Sequence, residues 1–159
     1  MRAWLRDRKR DAAGITPVAD IARSVLVEYP AQRMFALVDA VEQYPEFLPW
    51  CGGAELIYRD ADVTRAKIHI RYRGIRQSFS TENVKREPRL MQIRLIEGPF
   101  RELEGSWRFA ELGGGCKVEL NLHYEFASRV LEKVLGPVFG HIAGTLIDAF
   151  VKRARSLHG

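Results

Sequence analysis

"SVLVEYPAQRMFALVDAVEQYPEFLPWC", residues 24–51, changes its hydrophobic period twice within one stretch. The β-branched run at residues 21–29 predicts a strand. Pro30 then takes the favoured first position of a helix. Met34, Phe35, Leu37, Val38 and Val41 recur at helical spacing, so residues 30–41 predict a short amphipathic helix. Pro45 and Pro49 leave room for only one more helical turn, at residues 42–47. Tyr44, Phe47, Leu48 and Trp50 therefore fall where regular structure ends, and such side chains serve either as a rigid pocket rim or as a plug in the core.

Downstream the period becomes two. In "VTRAKIHIRYRG", residues 63–74, Ala66, Ile68, Ile70 and Tyr72 alternate with Arg65, Lys67, His69, Arg71 and Arg73. Residues 53–60, 75–87, 89–98, 101–112 and 113–126 read as further strands. Turn residues separate them at Asp60–Asp62, Glu87–Pro88, Gly98–Pro99 and Gly113–Gly115, which predicts hairpins and an antiparallel meander. Residues 128–157 form one long helix with Ser128 as N-cap. Its apolar stripe runs through Leu131, Val134, Leu135, Val138, Phe139, Ile142, Leu146, Ala149 and Phe150, and Pro137 and three glycines interrupt it. The order strand, two short helices, six strands, long helix predicts an α+β fold in which a curved antiparallel sheet of about seven strands wraps the C-terminal helix.

A chain of 159 residues with 47% apolar and 28% charged residues is one ordinary soluble domain by composition. No apolar run approaches the roughly 18–20 residues that span a bilayer. Cys51 and Cys116 form no metal-binding spacing and fit a reducing compartment. Residues 1–18 read as a disordered basic tail, with residues 19–159 as the folded domain. Arg2, Arg6, Arg8, Lys9 and Arg10 outweigh Asp7 and Asp11 there, which leaves the rest of the chain mildly basic within a net charge of +5. Such a tail suits contact with RNA or an anionic membrane and specifies neither. The expected location is the cytoplasm, with peripheral contact at the inner membrane.

The opening stretch, "FRELEGSWRF" at residues 100–109 and "FGHIAGTLIDAFVKRA" at residues 139–154 resemble the bacterial ribosome association toxin family. That family is related to the coenzyme Q-binding chaperones of the respiratory chain. Both lie in the START-like superfamily, whose helix-grip fold also serves polyketide cyclases and lipid carriers. The resemblance covers residues 20–155 and implies two activities: binding of an isoprenoid quinone in an internal cavity, in support of respiration, and association with the large ribosomal subunit that blocks subunit joining.

The residues divide along the same lines. Tyr44, Phe47, Leu48 and Trp50 would rim the cavity. Ile68, Ile70, Phe79, Trp107, Phe109, Leu122 and Tyr124 from the strands would line it, with Val138, Phe139, Ile142 and Leu146 from the helix. Ubiquinone is the expected ligand, no cofactor is required, and burial of its tail at about 0.8 kcal/mol per CH₂ needs little polar recognition. Arg65, Lys67, Arg71, Arg73 and Arg76 make a basic stripe able to meet phosphates, or else a solvated strand face. Alternation turns His69 and His123 outward, leaving only His141 near the interior. No nucleophile, metal or phosphate-loop motif appears, so a binding protein is expected rather than an enzyme.

Overall fold

The computed structural model describes residues 18–159, so residues 1–17 of the expected basic tail lie outside the described residues, and Val18, expected as its last residue, instead opens the first strand. Strand β1 (Val18–Val27) leads to helix α1 (Ala31–Asp39) and a 3-10 helix (Val41–Glu46). Six strands follow: β2 (Cys51–Arg59), β3 (Val63–Tyr72), β4 (Ile75–Arg86), β5 (Leu90–Glu97), β6 (Phe100–Glu111) and β7 (Cys116–Phe126). Helix α2 (Arg129–His158) ends the chain. The strands form one antiparallel sheet in the order β1-β7-β6-β5-β4-β3-β2. This is the predicted helix-grip architecture.

Curvature comes from irregularities in the ladder. Register shifts occur at Cys51/Gly53 and Leu56/Tyr58 in β2, at Ile96 of β5 opposite Ser80/Thr81, and at Phe100/Glu102 in β6, and an extra residue bends a strand and sharpens its twist. Gly105 marks a tight point, where an added Cβ would stand 2.4 Å from the Asn121 carbonyl oxygen. Between β3 and β4 the chain reverses through Arg73 and Gly74 alone, at φ 50° and 82°, as a two-residue hairpin loop requires. The sequence places Arg73 on the strand face; it sits instead at the hairpin tip.

Helix α2 crosses the concave face, about 45 Å long at 1.5 Å per residue. The Ser128 hydroxyl accepts from the Leu131 N–H at 3.1 Å, and the helix continues through Pro137. Its buried face carries Leu135, Val138, Phe139, Ile142, Ala143, Ile147, Phe150, Val151 and Ala154. Val134, expected in the stripe, is instead exposed. By length and composition α2 also qualifies as a bilayer-crossing helix, contrary to the sequence expectation. The sheet accounts for that composition, since this is the core helix.

Under α2 the core divides in two. One part joins α1 to the C-terminal half of α2 through Phe35, Met91, Trp107, Phe109 and Phe150. The other joins the aromatic loop to the N-terminal half through Leu48, Trp50, Ile70, Phe100, Tyr124 and Phe139. An apolar cavity lies between them.

Candidate functional site

The aromatic loop is not the extended rim its prolines suggest. Pro45 lies inside the 3-10 helix, and the Tyr44 hydroxyl donates to the Val38 carbonyl at 2.5 Å. The rings of Tyr44, Phe47 and Phe150 meet edge to face at centroid distances of 5.3–6.1 Å. Arg153 lies over Phe47 and donates to Glu46 at 2.8 Å, which ties the loop to α2. Leu48 and Trp50 are buried, Trp50 with 5% exposure.

Beneath the loop is an apolar cavity of about 110 Å³. On the other side of Trp50 is a polar surface groove of about 510 Å³, between the loop and α2, whose walls include His141, Asp148, Lys152 and Arg153. Trp50 belongs to both walls and is the partition between them. A cavity of this size holds about one small ring, well below the 300–1,000 Å³ of ordinary ligand pockets.

Of the residues expected to bind ligand, Tyr44, Trp50, Phe79, Trp107, Leu122, Tyr124, Phe139, Ile142 and Leu146 line the cavity, and Ile68 does too. Phe47 and Leu48 face the outer groove. Ile70 and Val138 are buried nearby but off the cavity wall, and Phe109 stacks on Trp107 in the other half of the core. Sequence reasoning missed Val41, Ile93, Leu103, Ala143 and Phe150. It also missed two polar wall residues, Thr81 and Asn83. The signal was the phase of β4: with Phe79 inward, Thr81, Asn83 and Lys85 share its face. Burial pushes the Tyr124 hydroxyl up to about 12 and also raises that of Tyr44, so both are neutral at pH 7.

The convex face carries the basic stripe. Arg65 is held by Glu82 at 2.8 Å and lies over the Tyr58 ring. Arg71 and Arg76 are direct cross-strand partners, both exposed. Among the described residues neither has an ion-pair partner, nor do Lys67 and Arg73, although Arg73 lies over Tyr72. Between these cations His69 bridges Ser78 at 2.6 Å and Glu55 at 2.5 Å. His141, the one histidine expected near the interior, is exposed and stacked on Tyr72.

His123 faces outward as expected but is buried, between Asp20 at 2.6 Å and Glu102 at 2.7 Å. Burial works against the charged ring, yet the hydrogen bonds to the two carboxylates outweigh it and raise its pKa. The stabilisation is therefore full below the unfolded value of about 6.5 and is lost as pH rises through the higher folded value. Denaturation between pH 5.5 and 8.5 is expected to show the protein losing stability relative to His123→Gln as pH rises. Parallel curves would remove His123 from the pH dependence.

Residues 27–151 match the protein family described as polyketide cyclase/dehydrase and lipid transport. The ribosome association toxin RatA of Pseudomonas aeruginosa is 39% identical over 140 residues, covering 87% of this chain and 97% of that protein. The mitochondrial coenzyme Q-binding protein of Dictyostelium discoideum is 24% identical over 138 residues, covering 84% of this chain and 67% of that protein. Among solved structures, an aromatase/cyclase from Streptomyces superposes with a TM-score of 0.77 at 15% identity, covering 87% of this chain and 94% of its own, a likeness of fold.

Proposed function

The chain belongs to the polyketide cyclase, dehydrase and lipid transport family, within it to the START-like ribosome association toxins, and from that premise we propose that it binds the large ribosomal subunit and blocks subunit joining. The observation that carries this reading is the β3–β4 hairpin. Arg71 faces Arg76 directly, with Arg73 at the tip and Lys67 on the same face. Like charges directly opposite each other destabilise a sheet, and a phosphate between them turns the repulsion into attraction. Action on ribosomes is action in the cytoplasm.

Overexpression is expected to lower the share of joined ribosomes on a sucrose gradient; an unchanged share counts decisively against the reading. The variant Arg71→Gln/Arg76→Gln separates binding from folding. Removing the facing charges should leave the melting temperature equal or higher. Binding to large subunits at 0.1 M salt should fall by about 10-fold or more, and the slope of log affinity against log salt should drop by about 2. Undiminished binding would move the contact off the hairpin.

A second reading rests on the cavity: carriage of a ubiquinone-like isoprenoid in support of respiratory electron transport. An apolar space walled by aromatic rings and partitioned from a groove by one tryptophan supports it. The space takes only a ring while Trp50 is in place, so an isoprenoid tail requires the apolar cavity to widen on binding. Solvent extraction of the purified protein followed by mass spectrometry tests it. Absence of quinone, with no uptake of added quinone, would remove this reading. Both readings are of binding.

A further inference from the structure

We propose that the cavity selects a ring carrying a hydroxyl, such as a phenol or the reduced form of a quinone, and that Asn83 makes the selection. This deepens the second reading, which supplies the cavity but says nothing of the ligand's polar head.

The argument begins with β4. Its inward residues run Phe79, Thr81, Asn83, Lys85. Lys85 is satisfied, since its ammonium donates to Asp39 at 3.1 Å. Asn83 is not. It has 7% exposure, and among the described residues its Nδ2 donates only to the Met91 sulfur at 3.5 Å, a weak acceptor. Its Oδ1 is sealed from solvent and finds no hydrogen-bond partner among the described residues. Buried carbonyl oxygens without a partner are rare in folded proteins. Asn83 itself lines the cavity among side chains such as Ile93, Leu103, Trp107 and Phe150, and rotation about its soft terminal torsion brings the oxygen to the cavity surface.

An oxygen acceptor wants a donor. A hydroxyl on a ring in the cavity supplies one, while the remaining edges of the ring meet apolar atoms. A head group bearing only carbonyls would set lone pair against lone pair at Oδ1. The hydroxyls of Thr81 and Tyr124 stand on the same cavity wall and can accept or donate as the ring requires. The volume of about 110 Å³ limits the buried head to about one ring.

Phenol and toluene, nearly equal in size, test this on the whole protein by titration followed in ¹H–¹⁵N NMR spectra. In a purely apolar cavity toluene binds more tightly, because phenol surrenders its hydrogen bonds with water. The wild type is expected to bind phenol at least as tightly as toluene. In Asn83→Leu the ratio should swing toward toluene by about 10-fold or more, the size of one buried hydrogen bond. Asn83→Met serves if the leucine variant does not fold. A wild type that prefers toluene, or a phenol preference that survives in the variant, overturns the proposal and leaves the isoprenoid reading standing. Failure of both probes to bind overturns the proposal and the cavity reading together.

Discussion

Trp50→Ala is expected to lower the unfolding free energy by about 3 to 5 kcal/mol, the usual cost of emptying a large aromatic from a core. Trp50 has 5% exposure and packs in one cluster with Leu48, Ile68, Ile70, Phe139 and Ile142. Its carbonyl accepts the Arg71 N–H at 2.9 Å, so the backbone at the start of β2 stays anchored while the side chain disappears. The loss is a large part of the roughly 5 to 15 kcal/mol that holds a domain together. The same substitution removes the partition between the cavity and the groove, so small apolar probes should exchange faster in the variant. Chemical denaturation gives the first quantity and NMR line shapes of bound toluene the second. A loss below about 1 kcal/mol would make Trp50 a rim residue, the role its flanking prolines suggest from sequence.

Asp39→Ala should be comparably damaging, for an electrostatic reason. Asp39 is the last residue of α1, where the helix dipole disfavours a carboxylate. It persists there because Lys85, Thr64 and Arg59 converge on it: Nζ at 3.1 Å, the Thr64 hydroxyl at 2.7 Å and the Arg59 Nε at 3.5 Å. The Lys85 side chain has only 4% exposure. Removing its partner leaves a buried ammonium uncompensated, at a cost of about 3 to 5 kcal/mol. Asp39→Ala/Lys85→Met should recover more than half of the loss, because the double variant buries no charge. Equal losses in the single and double variants would show that Lys85 never depended on Asp39.

These two sites mark how far the sequence can be read. The strands were legible because Val63–Tyr72 and Cys116–Phe126 alternate cleanly and glycines and prolines bound them. Alternation fixes which face a residue takes. It does not fix where along a curved strand the residue falls, which is why Phe109 and Ile70 face inward yet miss the cavity. Polar type misleads in the same way. Thr81, Asn83 and Lys85 are polar in type, and only their phase with Phe79 turns them inward. His123 is the converse, outward by phase and buried because Asp20 and Glu102 close over it. Asp39 and Lys85 lie far apart in sequence, and no local pattern joins them.

The pairing of β1 with β7 has a cost that belongs to the chain's assembly. Val18 sits opposite Glu125 and Val27 opposite Cys116. Strands β2 to β6 each pair with the next strand along the chain, so that meander closes through short loops. β1 has no such neighbour. During synthesis it emerges first and has to wait, its hydrogen-bonding edge open, until β7 has been made. Loop closure across that interval is slow, and an open apolar edge is prone to wrong partners. The sheet's second border, and with it the full seat for α2, therefore cannot be complete before β7 has been made.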